Sequence, residues 1–201
     1  MIAPLILAID TSAAHCAAAV LCGDEILASS QEEMAKGQAE RLLVLVQELL
    51  VQAGKTMDQL DAIGVGVGPG NFTGIRISVS AARGLALGLN IPAVGVNAFD
   101  ALHFGATTPC LCTVDARRDM VFVQGFDTSV YEAPVLCPRV DLPSDIPCIG
   151  AYGDTPAYPV AHAIARVTAR RFGDTTLPPA PLYLRPADAA PARDAPPQII
   201  A

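Results

Sequence analysis

Short apolar runs separated by turn residues make up the beginning of the chain. Asp-Thr-Ser at 10–12 follows the first run, and Gly23-Asp24, a tight-turn signal, follows the second. Each run is short enough for one strand, and the tight turns between them favour antiparallel pairing. The pattern therefore predicts a three-stranded meander, with strands at 5–10, 14–22 and 25–31.

Helical spacing then alternates with strand-like runs. Residues 39–53 place their leucines and valines at helical intervals and end at Gly54. A strand is predicted at 62–67, a second helix from Asn71 or Thr73 to about Leu89, and a short strand at 91–96. The order βββαβαβ over residues 5–96 is that of an α/β protein.

The second half of the chain has a weaker pattern. It predicts a short helix at 98–105, a hairpin with strands at 110–114 and 119–126, an apolar step at 147–153 and a helix at 159–172. The proline-rich end is predicted to be an extended tail in which only Pro181–Arg185 docks. The predicted divisions are an N-terminal lobe at 1–97, a smaller lobe at 98–177 and a tail at 178–201.

Composition narrows the class of protein. Hydrophobic residues form 52% of the chain and charged residues 16%, which excludes a disordered protein. The net charge of −7 disfavours direct binding of a nucleic-acid backbone by this chain without a partner protein. No apolar run approaches a membrane span, no basic region of a signal peptide precedes the first strand, and the six cysteines form no C-x-x-C. We expect a cytoplasmic protein with reduced thiols and no membrane contact.

Two segments have the residues of a ligand-binding loop. The hydroxyl and turn N–H groups of Asp10-Thr11-Ser12 can donate to phosphate oxygens, or the three residues can simply satisfy a turn. The second segment runs from a strand into a helix through Gly68, Pro69, Gly70, Asn71, Phe72, Thr73, Gly74 and Arg76. Its backbone can approach a ligand or another chain closely, or it can be a tight connection. It matches neither a Walker A loop nor a dinucleotide fingerprint.

The sequence contains few side chains that could catalyse a reaction without a partner protein. His15, His103 and His162 lie too far apart in sequence for a zinc-peptidase motif, and no G-x-S-x-G occurs. Asp115 and Asp119 form either a carboxylate pair or a hairpin turn stabilised by local charge. Cys110 and Cys112 share one face of a strand, where core packing is the expected role. We therefore predict no catalytic residue, no metal and no intrinsic cofactor.

The motifs together resemble the bacterial TsaB (YeaZ) family. The resemblance rests on Ile6–Ser12, Gly68–Arg76, Gly84–Gly88, Asp115–Arg118 and Tyr183–Arg185, in the family's order. It implies an actin-like ATPase (ribonuclease H-like) fold of two lobes, each with a mixed sheet and flanking helices. It also implies a non-catalytic partner of the TsaD transferase, working with the TsaE ATPase to make N6-threonylcarbamoyladenosine in tRNA. ATP would be a ligand of the complex with TsaD, whether or not this chain binds nucleotide itself, and tRNA would be bound only through the complex.

The resemblance also implies a partner surface on the two N-terminal helices. The same surface would form a homodimer of the free protein and the heterodimer with TsaD, so the two assemblies would compete. Small residues smooth one face of the second helix at Gly74, Ser78, Ala81, Gly84 and Gly88. The residues carried over are Glu40, Arg41, Val44, Leu45, Phe72, Thr73, Ile75, Arg76, Val79 and Arg83.

The chain departs from the family at three places. Gln38-Ala39-Glu40 stands where relatives have His-Ser-Glu, Asp119-Met120 replace Gly-Glu in the hairpin, and the second lobe is shortened between Phe126 and Leu182. Two alternatives stay open at this stage. One is an actin-fold phosphotransferase using Asp10 and Asp115 as carboxylates. The other is an M22-type glycoprotease, which the spacing of the histidines disfavours.

Overall fold

A five-stranded mixed sheet organises the first lobe. The computed structural model describes residues 3–175 and 177–185. The strand order is β3-β2-β1-β4-β5, with β1, β2 and β3 antiparallel and β4 and β5 parallel to β1. This is the ribonuclease H-like arrangement that the resemblance implied. The strands are β1 (Leu5–Asp10), β2 (His15–Cys22), β3 (Glu25–Glu33), β4 (Ala62–Gly66) and β5 (Ala93–Val96).

Helices cover both faces of this sheet. Alternate residues of β1 face opposite ways: Leu7 packs beneath two helices and Ile6 beneath a third. Both faces of the sheet are thus buried at β1, which explains why Leu5–Ile9 is apolar at every position. The first pair comprises α1 (Gln38–Gln52) and α2 (Phe72–Leu89), and the opposite face is covered by α4 (Val160–Arg171), which follows α3 (Ala98–His103) in the chain.

The position of α4 differs from the division of the chain into sequential lobes. The segment 98–177 was expected to form the smaller lobe, yet α4 packs against the first sheet through Ala163, Ile164 and Val167. Without it, the even-numbered face of β1 would be exposed to water. The chain therefore crosses back to complete the first lobe, a long-range packing that local spacing does not encode.

The second lobe is a smaller four-stranded sheet with one short helix. Its order is β8-β7-β6-β9, with β9 parallel to β6 and the other pairs antiparallel. α3 packs on this sheet. Elsewhere in the described chain, short 3-10 helices lie at Met57–Gln59 and Phe172–Asp174, and one in the second lobe lies at Arg139–Asp141. No strand was predicted at the position of β8. The strands are β6 (Cys110–Asp115), β7 (Met120–Phe126), β8 (Val135–Pro138) and β9 (Cys148–Gly150).

The start of the proline-rich tail docks, as predicted for Pro181–Arg185. The backbone N–H of Leu182 donates to the Val67 carbonyl oxygen at 2.7 Å. Arg185 donates to the carbonyl oxygen of Ala116 at 2.9 Å. The segment thereby connects the first sheet with the β6–β7 hairpin. The rest of the predicted tail, 186–201, lies outside the described residues.

The described ranges, 3–175 and 177–185, contain α-helices of 6 to 18 residues. None combines the length and the hydropathy that a bilayer crossing needs.

Two glycines of α2 should respond in opposite ways to alanine. A Cβ at Gly74 would overlap the carbonyl oxygen of Thr11, which is backbone and cannot swing away. A Cβ at Gly84 meets no atom within 4 Å. We expect Gly74→Ala to lower the free energy of unfolding by about 1–3 kcal/mol, and Gly84→Ala to raise it by about 0.5–1 kcal/mol. Urea unfolding of both variants measures this, and equal effects would contradict the close approach at Gly74.

Candidate functional site

Asp10 is the buried centre of a hydrogen-bonded cluster at the end of β1. Its side chain is 2% exposed. Its Oδ1 accepts hydrogen bonds from the backbone N–H and the hydroxyl of Ser12, both at 2.9 Å, and lies 2.7 Å from His15 Nε2. Because β1 and β4 are parallel, Gly66 ends beside Asp10, and a side chain there would overlap the carboxylate. The buried carboxylate therefore has hydrogen-bond partners from its own strand end and from His15.

The glycine-rich turn closes over the other two residues of this strand end. The hydroxyl of Thr11 donates to the Gly74 carbonyl oxygen at 2.6 Å, and the N–H of Asn71 donates to the Ser12 carbonyl oxygen at 2.6 Å. The Asn71 side chain accepts from the N–H of Gly74 at 2.9 Å and so caps α2. Both candidate loops are brought together, but they bind each other. The hydroxyls proposed for phosphate contact have protein partners, which favours a tight structural connection.

His15 carries a pH-dependent charge next to this cluster. Burial disfavours the imidazolium, but the hydrogen bond and charge of Asp10, with the charge of Glu33, outweigh it and raise the pKa of His15. The raised pKa means that the ion pair stabilises the folded protein most at low pH. Its contribution is complete below the ordinary histidine value and disappears as the pH rises through the raised value.

Replacing His15 by glutamine should therefore cost more stability in acid than in base. We expect the loss in unfolding free energy to be larger near about pH 5.5 than near about pH 8.5. His162 is the control: burial, with the charge of Arg166, lowers its pKa, so its protonation opposes folding. Replacing His162 by glutamine should reduce the loss of stability on acidification. Urea unfolding at both pH values measures these trends, and a pH-independent effect at His15 would contradict the ion pair.

The outer faces of α1 and α2 carry several large apolar side chains that are exposed to solvent. The side-chain exposure reaches 49% at Val44, 73% at Val51 and 85% at Leu87. Gly84 and Gly88 lie on the exposed side of α2 with open space around them. The helices lie next to each other on one face of the first sheet, so these residues face away from the core. A second protein could bring its backbone close to this surface.

Three of the predicted partner residues belong instead to the protein's own core. Leu45, Ile75 and Val79 are only 2%, 1% and 4% exposed and pack against the first sheet. The structure takes them out of the predicted surface, because reaching a partner would require opening the core. The remaining seven are exposed or half-buried, and the sequence analysis did not name Leu43, Val51 or Leu87. Arg41 is the half-buried member, and the exposed members are Glu40, Val44, Phe72, Thr73, Arg76 and Arg83.

Two arginines of this surface are held in fixed positions. Arg41 forms ion pairs with Glu32 and Glu48, each at 2.6 Å, and these bonds lower the pKa of both carboxyl groups. Arg76 lies over the ring of Phe72 at 3.8 Å and donates to the Tyr183 hydroxyl at 3.0 Å. Ordered side chains lose less freedom on binding, which suits a recognition surface.

Asp115 and Asp119 stabilise the turn of the β6–β7 hairpin in different ways, through the side chain of Asp115 and the backbone of Asp119. Asp115 accepts hydrogen bonds from the Tyr152 hydroxyl at 2.7 Å and from the Arg117 backbone N–H at 2.9 Å, and these bonds lower its pKa. Asp119 occupies the left-handed region with φ of 57°, and its carbonyl oxygen accepts from the N–H of Arg139. The geometry supports a charge-stabilised turn. Beside it, an open groove of about 490 Å³ is lined by Arg139, Tyr152 and neighbouring residues of the second lobe.

The fold and this site define an actin-like α/β protein of two lobes, with its N-terminal loops closed on each other. The family model described as TsaD, tRNA N6-adenosine threonylcarbamoyltransferase, matches residues 25–133. The Escherichia coli K12 protein named tRNA threonylcarbamoyladenosine biosynthesis protein TsaB is 36% identical over 58% of this chain and 52% of its own length. An uncharacterised protein of Mycobacterium tuberculosis H37Rv is 30% identical over 92% of this chain and 94% of its own length. The chain belongs to the TsaB/YeaZ family.

A solved structure agrees with this membership. A Pseudomonas aeruginosa protein, described as similar to the peptidase YeaZ, superimposes with a TM-score of 0.70 at 26% identity, over 90% of this chain and 100% of its own. The match with Escherichia coli TsaB, in contrast, spans about half of that protein.

Proposed function

We propose that this chain is a non-catalytic subunit that activates a TsaD-type transferase in the formation of N6-threonylcarbamoyladenosine in tRNA. The observation that carries the proposal is the exposed apolar face of α1 and α2 in a member of this family. Several large apolar side chains exposed on two neighbouring helices support a protein–protein contact at this surface. The named relatives of the chain act in the same biosynthesis.

The hydrogen bonds that the candidate catalytic side chains make within the protein support a non-catalytic role for this chain. Asp10 and Thr11 have internal partners, and Asp115 stabilises a turn. The three histidines have separate neighbours: His15 contacts Asp10, His103 contacts Cys110 and His162 contacts Ser29. Both carboxylates that the phosphotransferase alternative would use thus accept hydrogen bonds from groups of this protein.

The exposed face of α1 and α2 is the proposed contact surface both for a second copy of the chain and for a TsaD homologue. In isolation, two copies would pair through α1 and α2, and a TsaD homologue would displace one copy. The net charge of −7 supports leaving tRNA to the other subunits, with TsaE and ATP entering at the complex. The chain would then act in the cytoplasm, where these partners meet tRNA.

Light scattering during size-exclusion chromatography tests this proposal. The protein is run alone, with the TsaD homologue of the same organism, and with that homologue plus TsaE and ATP. We expect a dimer of the chain alone and a heterodimer after mixing, because one surface serves both. Failure to bind TsaD under every condition would contradict the proposal, and so would ATP turnover by the chain alone.

A further inference from the structure

Three metal-ligating side chains meet between α3 and the second sheet. His103 is the last residue of α3, and Cys110 and Cys112 are alternate residues of β6 that point to the same face. The imidazole nitrogen and the two sulfur atoms all lie within 4.8 Å of one another. Cys110 Sγ is 3.8 Å from His103 Nδ1. Residues 104–109 join the two parts of the cluster.

The surroundings of the cluster hold these side chains in place and keep water away. Cys110 and Cys112 are fully buried and pack with Phe99 and Phe122. The His103 ring stacks on Phe126, with ring centroids 4.0 Å apart and planes 4° from parallel. The stacking fixes the plane of the imidazole while its Nδ1 faces the thiol.

The donor set suits a soft cation. Zinc bonds of about 2.3 Å to sulfur and 2.0–2.1 Å to nitrogen place tetrahedral ligand atoms roughly 3.6–3.8 Å apart. The distance of 3.8 Å between Cys110 Sγ and His103 Nδ1 already matches this spacing. The other ligand atoms lie within 4.8 Å of one another, so they need to approach by about 1 Å or less. Two thiolates and an imidazole select zinc or monovalent copper over magnesium or calcium, which prefer oxygen.

We propose that His103, Cys110 and Cys112 bind one thiophilic d10 cation, Zn²⁺ or Cu⁺. The bound cation clamps the end of α3 to β6 across residues 104–109. Two S–H protons leave to solvent as the two metal–sulfur bonds form, so binding strengthens as the pH rises.

Cys148 provides a matched control on the same sheet. It lies on β9 opposite Leu111, which points to the other face of the sheet from Cys110 and Cys112. Its Sγ is 3.9 Å from the carbonyl oxygen of Ile146. Its replacement by serine removes one thiol from the lobe and leaves the proposed ligands intact.

The test is native mass spectrometry of the reduced full chain with one equivalent of Zn²⁺ or, without oxygen, of Cu⁺. We expect one ion per chain, a melting temperature that rises with free metal, and two protons released per ion. A Co²⁺ adduct should show a thiolate-to-metal charge-transfer band. Whichever metal is retained against a competing chelator identifies the occupant.

Variants decide whether these three residues are the ligands. His103→Gln, at a half-buried position that spares the core, and Cys112→Ser should each weaken binding by more than the roughly 10–100-fold that follows loss of a group that only orients a ligand. Cys148→Ser should bind as the wild type does. No retained ion in the wild type would overturn the proposal, as would unchanged binding by His103→Gln or equal loss in Cys148→Ser.

Discussion

Replacing Gly84 by glutamine should weaken binding of a TsaD homologue by about tenfold to a hundredfold, equivalent to about 1–3 kcal/mol. Gly84 is exposed on α2, and a side chain there meets no atom of its own protein within 4 Å. A partner helix packed against the bare backbone would meet the new side chain directly. Titration calorimetry with the purified homologue measures the change in dissociation constant.

The fold of this variant should be intact, which separates binding from stability. Glutamine has a higher helix propensity than glycine, so the melting temperature should stay equal or rise slightly. Gly173→Gln is the matched control, because Gly173 is also exposed with open space but lies beyond α4. Unchanged affinity of the Gly84 variant would place the TsaD contact elsewhere, and an equal loss in the Gly173 variant would remove the specificity of the effect.

Replacing Asp10 by alanine should lower the free energy of unfolding by about 3–5 kcal/mol, because it leaves buried groups without their charged partner. The change removes the acceptor for the Ser12 N–H and hydroxyl and for His15. Chemical denaturation of the variant gives the value. Asp58→Ala, at an exposed position in the first 3-10 turn, should change stability by no more than about 0.5 kcal/mol.

The free energy of unfolding of Asp10→Ala distinguishes a structural role of Asp10 from a role in binding a nucleotide. If the carboxylate served a phosphate or its metal, Asp10→Ala would fold with near wild-type stability and lose nucleotide binding instead. A stable variant with lost ATP binding would contradict the closed arrangement of Asp10, Thr11 and Gly74 described above.

Periodicity predicted the first lobe because its elements are local and strongly patterned. The meander, both long helices and the two parallel strands occur where the spacing placed them. The same spacing contains the signal for the core face of α2: Ile75, Val79, Ala82 and Ala86 recur at helical intervals and are buried. Leu87 falls outside that stripe and is exposed. Periodicity alone therefore could have separated the buried positions of α2 from its exposed positions.

Other features depend on contacts between distant parts of the chain. β8 has four residues, none of them fully buried, and ends in Pro138, so its sequence has no strong strand pattern. The placement of α4 on the first sheet and the closing of Gly74 over Thr11 are tertiary contacts. The approach of His103 to Cys110 likewise follows from packing of α3 on β6, which no sequence spacing reveals.

The rate of threonylcarbamoyladenosine formation on tRNA tests the central claim most directly. The assay contains TsaD and TsaE homologues of the same organism, ATP, tRNA and a threonylcarbamoyl donor, with or without this chain. We predict that the wild-type chain raises the rate, that Gly84→Gln raises it much less at equal concentration, and that Gly173→Gln matches the wild type. A rate independent of the chain, while TsaD is bound to it, would contradict the role of an activating subunit.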